Sequence, residues 1–398
     1  MKIKSLEIEN NKILKNIKID FQNNDKVLDT IVVAGINGSG KTTLLETIYK
    51  GIKNIVNSNK EICKFEFQFE ENEKIVFNNE KDFFQKLNLY DYYKDNQPDY
   101  FNSKEFYSKL NILPKIIYIP SEIKFDQITN AVTNMKKEYS FLNTIDNNII
   151  KDVPSYIASR VIYTANTEEN LTMGQARKKV YDEINEIFDI LDINVKLYGV
   201  SQDEKSIPVF INSLGEKFDI NGLSSGEKQL FLRILSIKML EPENSIILID
   251  EPELSLHPKW QQKIIEVYKR IGKNNQIITA THSPHILGSV PNENIFILSK
   301  NEDGKIIFIK GRELENSYGQ PVDRILEDIM GMETTRDIKV YNLLEEVRKL
   351  VREDKYEDNN FKEKYQKLED ILGLTDSDLL LINMEIQRRK RGAENVQS

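Results

Sequence analysis

The sequence predicts an α/β fold, and three observations predict it. Short apolar runs rich in β-branched residues recur at positions 30–34, 116–119, 246–249 and 276–281, the pattern of strands buried inside a sheet. A glycine-rich turn, Gly35-Ile36-Asn37-Gly38-Ser39-Gly40, joins the first run to a segment in which Leu44, Leu45, Ile48 and Ile52 fall at helical spacing. From Pro321 to the end the pattern is helical throughout, with segments at 322–330, 339–353, 361–372 and 376–389 divided by Gly331, Asp354-Lys355 and Gly373.

The remaining elements follow in chain order. Residues 2–9 and 13–21 alternate apolar and polar side chains around Asn10-Asn11, an antiparallel two-stranded start. Residues 64–70 read as one more strand within a polar, aromatic stretch, 60–115, which is rich in Tyr, Asp and Asn between Leu89 and Tyr107 and is expected to elaborate a sheet edge. Residues 135–195 are expected to be mostly helical, most clearly 176–191, without a heptad repeat.

Composition narrows the class of protein. With 398 residues, 39% hydrophobic and 30% charged, the chain is an ordinary soluble globular one, and no run approaches the length of a membrane span. The start, Met1-Lys-Ile-Lys-Ser-Leu-Glu-Ile-Glu, lacks the pattern of an export signal. The one cysteine, Cys63, cannot make an internal disulfide and is expected to be a small buried residue, so the expected location is cytoplasmic. A net charge of -8 and a pI near 5.3 exclude a surface coated for nucleic acid, leaving only local DNA contact. The strongest basic cluster, Arg388-Arg389-Lys390-Arg391, reads as a solvated helix end.

Three motifs carry chemistry. Gly35 to Thr42 is a complete G-x-x-x-x-G-K-[ST] loop between a strand and a helix. Its backbone N–H groups and the helix's positive end suit phosphate, Lys41 supplies a cation for the β- and γ-phosphates, and Thr42 offers a hydroxyl to Mg²⁺. Asn37, Gly38, Ser39, Gly40, Lys41, Thr42 and Thr43 are thus the expected ATP-binding residues. Asp250-Glu251 ends a buried strand, where adjacent acids are costly unless a cation or water uses them: Asp250 is the expected Mg²⁺ partner and Glu251 the group that orients or deprotonates the attacking water. Leu223-Ser224-Ser225-Gly226-Glu227 precedes a helix, with Ser224 or Ser225 available as its N-cap. His282 follows the strand at 276–281, while the 3 histidines, His257, His282 and His285, build no zinc site.

Taken in order, these motifs resemble the ABC-type ATPases of the SMC-like and OLD-like branch, over roughly residues 1–60 and 205–300. The resemblance implies an ABC-type P-loop ATPase head, a mixed sheet with flanking helices, carrying a helical insertion and a C-terminal helical extension. Glu251-Pro-Glu253-Leu-Ser255-Leu-His257-Pro258 and Thr281-His282-Ser283-Pro284 look most like the OLD-related group. It implies that Ser224, Ser225, Gly226 and Glu227 are a signature reaching the nucleotide of a second copy, that His282 contacts the γ-phosphate, and that two heads sandwich two nucleotides. Only about 180 residues separate phosphate loop and signature, too few for the long coiled coil of SMC proteins. The only Asp-x-Asp in the tail, Asp376-Ser377-Asp378, reads as a helix start in which Thr375 and Asp378 form a capping box, so the nuclease domain that OLD nucleases append is not expected. Ser317-Tyr318-Gly319 leading into Val322-Asp323-Arg324-Ile325-Leu326 resembles the PtuA-type ATPases of Septu and retron-linked antiphage systems, which work with a separate HNH endonuclease.

The expected organisation is an N-terminal lobe at 1–120, a mostly helical insertion at 121–204, a C-terminal lobe at 205–312 and a helical domain at 313–398 that docks a partner. The leading expectation is an ATPase that pairs through its heads, assembles further and controls a nuclease. A RecF-type DNA-binding repair ATPase is the alternative. The energy-coupling subunit of a membrane transporter fits the motif trio but not the text after the 276–281 strand or the helical tail.

Overall fold

The N-terminal alternation folds as a hairpin: β1 (Lys2–Asn11) pairs antiparallel with β2 (Lys15–Asp20), Ser5 facing Asp20 and Ile8 facing Ile17. β3 (Thr30–Ala34) is buried along its whole length and delivers the chain into the glycine-rich turn and α1 (Lys41–Val56). β4 (Cys63–Gln68) returns to the other side of β1, with Leu6 opposite Phe65. Its buried positions are Cys63, Phe65 and Phe67, the period of two that alternation in the sequence requires. Burial pushes the Cys63 thiol up to about 12, so this cysteine is an inert core residue.

In this computed structural model the described residues are 1–56, 63–68, 74–75, 113–123, 140–168, 170–201, 207–301 and 304–397. The Tyr/Asp/Asn-rich stretch expected to elaborate a sheet edge, 89–107, lies outside them. β5 (Ile116–Ile119) and β6 (Leu142–Thr144) follow, then α2 (Val153–Thr167) and α3 (Met173–Asp189). The 135–195 stretch is therefore not all helix: β6 runs parallel to β5, Ile116 opposite Leu142 and Tyr118 opposite Thr144. Three residues are too few to show a strand period in sequence.

A small antiparallel sheet, β7 (Val195–Val200), β8 (Pro208–Asn212) and β9 (Lys217–Asp219), leads to α4 (Ser225–Met239), and β10 (Ile246–Asp250), β11 (Gln276–Ala280), β12 (Ile295–Lys300) and β13 (Ile306–Lys310) complete the main sheet. That sheet has the order β13-β12-β3-β11-β10-β5-β6, all parallel except β13. The fold is thus α/β with a mixed, mostly parallel central sheet. Ile246, Ile247, Leu248 and Ile249 are wholly buried, as a central strand covered on both faces must be. Leu44, Leu45, Ile48 and Ile52 of α1 pack in one core with Ile31, Val33, Ile278 and Ala280, fixing the helix over the sheet by burial worth about 1.5–3 kcal/mol per large side chain. All parallel strands therefore end at one edge, where the turns after β3, β10 and β11 meet.

The chain divides into two units, Met1–Ile325 and Leu326–Ser398. The second contains α5 (Ile338–Arg352), α6 (Asn359–Leu372) and α7 (Ser377–Gln397) around Leu344, Val347, Val351, Phe361, Leu368, Leu379 and Ile382. Asp376, and not Thr375, caps α7: its Oδ1 accepts from the Asp378 N–H at 2.9 Å. Arg336 grips both Asp376 and Asp378, at 2.8 and 2.7 Å, and Arg348 adds 2.6 Å to Asp378. The two acids of this Asp-x-Asp are thus taken up by guanidinium groups. No helix among the described residues is long and apolar enough to cross a membrane.

Candidate nucleotide-binding and hydrolysis site

The turn after β3 is built on a residue that must be glycine. Gly35 has φ +151, and a Cβ there would lie 2.3 Å from the Leu298 carbonyl oxygen of β12 and 2.8 Å from Ser39 Oγ. The loop then climbs through exposed Asn37 and Gly38 to buried Ser39, whose Oγ has no hydrogen-bond partner, and enters α1 at Lys41, with Thr42 exposed and Thr43 half-buried in the first turn. Lys41 folds back on its own loop, donating from Nζ to Gly35 O at 2.8 Å and Ile36 O at 3.1 Å, so one of its three protons is left for an anion. Burial lowers the Lys41 pKa to about 8, opposed by the carboxylates of Glu251, Asp250 and Glu253.

Those carboxylates stand at the end of β10. Asp250 pairs with Ala280 across to β11 and is 1% exposed. Its Oδ1 accepts the Thr42 hydroxyl at 3.2 Å, across 208 residues of sequence, and its Oδ2 is buried with no partner. Desolvation raises its pKa, with the Thr42 bond the largest opposing effect. Glu251 leaves the strand in a left-handed conformation, φ +46, with its N–H on Ala280 O at 2.9 Å. Its Oε1 lies 3.9 Å from His282 Nε2. Burial and the Lys41 charge hold the His282 pKa below its ordinary value, so the imidazole is neutral at pH 7.

A buried carboxylate oxygen without a partner, beside a threonine hydroxyl and a lysine, fits a cation that also carries phosphate oxygens. Among the described residues no group of three or more His, Cys, Asp or Glu side chains could hold a metal by themselves. That donor set suits Mg²⁺, which keeps waters and takes few protein ligands, with Thr42 and Asp250 as the residues that would hold it.

The signature residues form a separate constellation. Ser224 caps α4 in a reciprocal box: Glu227 Oε2 accepts from Ser224 N at 3.0 Å and from Ser224 Oγ at 2.6 Å, while Glu227 N donates back to Ser224 Oγ at 3.3 Å. Ser225 is exposed in the first turn, and Gly226 is buried where a Cβ would lie 2.6 Å from the Ser255 carbonyl. The turn after β10 is thereby seated against the start of α4. Among the described residues no hydrogen bond or ion pair joins Ser224–Glu227 to Lys41, Thr42 or Asp250 in the same chain. His257, exposed, caps the short helix Pro258–Gln261, and the half-buried His285 has a buried Nδ1 without a partner.

Residues 31–288 match the AAA domain family described as "putative AbiEii toxin, Type IV TA system". This chain belongs to that family. It is similar to the Septu protein PtuA of Bacillus thuringiensis, 26% identical over 375 residues that cover 89% of this chain and 90% of that protein. The Retron Vc95 probable ATPase of Vibrio cholerae serotype O1 biovar El Tor is 24% identical over 366 residues, 71% of each chain. The Retron Ec83 probable ATPase of Escherichia coli is 30% identical over 206 residues, 51% of this chain and 34% of that one. The resemblance read from the motifs, to ATPases of the PtuA and retron kind, is what these similarities return.

Sequence reasoning passed over Glu253 in this AAA domain. Its Oε1 accepts from both the Thr281 hydroxyl and the His282 N–H, each at 2.7 Å, tying the turn after β10 to the turn that presents His282. Burial raises its pKa, and its Oε2 is buried without a partner. The visible hint was the spacing Glu251-Pro-Glu253 with a threonine at the end of the neighbouring strand. Glu253→Gln keeps the accepting oxygen and is expected to hydrolyse ATP at close to the wild-type rate. Glu253→Ala removes it and should slow turnover about tenfold, as misplacing one catalytic group does. Steady-state phosphate release measures both, and equal rates in the two variants would show that the bonds do not position His282.

Proposed function

We propose that this chain binds ATP at Gly35–Thr43, hydrolyses it, and serves in the cytoplasm as the ATPase subunit of an antiviral defence system, controlling a separate HNH-type nuclease through head-to-head pairing. The observation that carries the ATPase reading is the 3.2 Å contact between Thr42 and Asp250, whose other oxygen is unpartnered, beside Lys41. Lys41 Nζ and the loop N–H groups take the β- and γ-phosphates. Mg²⁺ bound by Thr42 and Asp250 would neutralise charge developing on the phosphate oxygens. Glu251 accepts the proton of the attacking water, and neutral His282, 3.9 Å away, offers Nε2 toward the same space.

Similarity to the Septu protein PtuA over nine-tenths of its length, and to two retron ATPases, supports the defence role. That no hydrogen bond or ion pair among the described residues joins Ser224–Glu227 to Lys41, Thr42 or Asp250 of the same chain supports a site completed by a second copy. Exposed Ile371, Leu374, Leu381 and Met384 give the Leu326–Ser398 unit an apolar surface of the kind that a protein partner covers. The basic cluster favours this reading over duplex DNA clamping, because Arg388 pairs with Glu385, Arg389 with Asp354 and Glu385, and Lys390 with Glu357. The test is to sequence the neighbouring reading frames for an HNH protein and to use its product in a pull-down; a neighbourhood that encodes no HNH protein overturns the nuclease part of the reading. The full chain is expected to retain that product, whereas a chain ending at Ile325 should lose it while still releasing phosphate from ATP. Retention by the shortened chain would move the docking surface onto the ATPase domain.

A further inference from the structure

α4 carries one charged residue where its sequence, Leu230-Phe-Leu-Arg233-Ile-Leu-Ser-Ile237, is otherwise apolar or small. Arg233 is 3% exposed, so its guanidinium is held inside the domain. A buried charge is costly unless its donors are satisfied; here the two terminal nitrogens find three backbone carbonyls, the Tyr268 side chain bonds to the same guanidinium, and Nε is buried without a partner. Nη1 donates to Glu251 O at 3.1 Å, and Nη2 donates to Pro120 O at 3.1 Å and to Ser121 O.

The acceptors lie just beyond the ends of two neighbouring strands. Pro120 and Ser121 follow β5, Glu251 follows β10, and Ile119 and Ile249 are partners in register. Glu251 is also one of the non-glycine residues whose backbone is in the left-handed region, a conformation that persists where the surroundings hold it. Its N–H, in the peptide before it, donates to Ala280 O, and its carbonyl, in the peptide after it, accepts from Arg233 and from Leu254 N at 3.2 Å, so the peptide groups on both sides of Glu251 are held. The direction of the Glu251 side chain follows from that backbone. Only a planar fork with several fixed donors reaches carbonyls of two separate turns at once.

We propose that Arg233 is a positioning residue for ATP hydrolysis: anchored in α4, it holds the Glu251 backbone and the 120–121 turn so that the Glu251 carboxylate faces the attacking water. This rests on the reading of Glu251 as the water-activating group. Arg233 touches no nucleotide-binding residue of the Gly35–Thr43 loop in the hydrogen bonds it makes, so the proposal separates turnover from binding.

The test is to measure kcat, nucleotide affinity and thermal unfolding for the wild type, Arg233→Lys, Arg233→Met and Lys41→Ala. Arg233→Lys keeps the charge but not the fork, and it decides the matter if Arg233→Met fails to fold. A fall in kcat of about 10- to 100-fold, with nucleotide affinity within about twofold of the wild type and an unshifted melting curve, is expected for a misplaced catalytic group. A kcat unchanged in the folded variants overturns the proposal, as does a parallel loss of affinity and stability, which would make Arg233 a packing residue. Lys41→Ala separates the two levels. If it hydrolyses ATP like the wild type, the reading of the site falls and the proposal with it; if it is inactive while Arg233→Lys turns over normally, only the proposal falls.

Discussion

Lys41→Ala is expected to bind ATP about 10- to 100-fold more weakly and to hydrolyse none, the cost of deleting one charge-assisted donor from a buried phosphate site. Isothermal titration against the wild type measures the first and phosphate release the second. The pH dependence is a sharper check. Burial brings the Lys41 pKa down to about 8, so below that pH the side chain is the cation that a triphosphate selects, and above it the site is increasingly neutral. Affinity should be level from pH 6 to about 7.5 and fall beyond pH 8, since bound phosphate favours the protonated form and each pH unit then costs up to about tenfold. Affinity that stays level to pH 9.5 in the wild type would remove Lys41 from the phosphate contact.

Glu251→Gln is expected to slow hydrolysis by about 10²- to 10⁴-fold, the range that a positioned general base supplies, while leaving nucleotide affinity near the wild-type value. The amide is isosteric and tolerates the same left-handed backbone, so the fold should be unchanged. With ATP present the variant should accumulate as closed head pairs, which sedimentation would report as a species of twice the mass or a multiple of it. Hydrolysis at the wild-type rate would assign water activation to another group, and Glu253, half-buried nearby and bonded to the His282 N–H, is the residue to examine next.

The order of glycine loop, signature, acid-tipped strand and histidine is readable because each motif sits at an element boundary, where an unbroken apolar run ends or a helical spacing begins. The 246–249 run could be assigned to the middle of a sheet from its unbroken apolar character, since only a strand covered on both faces has no need of alternation. β6 could not be read, being three residues long. Neither could Asp376 as the cap of α7, because Thr375 and Asp376 are both good caps and only the backbone turn chooses between them. Glu253 and Arg233 were silent for a related reason: each acts through bonds to residues at least 18 positions away, and no local pattern encodes such partners.

The sequence by itself determined which chemistry this chain carries: a phosphate loop, a pair of carboxylates and a histidine are specified by residue type and short spacing. Tertiary structure alone decided how they are held. Parallel strands bring the turns after β3, β10 and β11 to one edge, so that Thr42 meets Asp250 across 208 residues and Arg233 reaches the carbonyl of Glu251. The physical reason is that covalent neighbours share a local pattern, whereas groups brought together by burial share only the cost of being left without a partner.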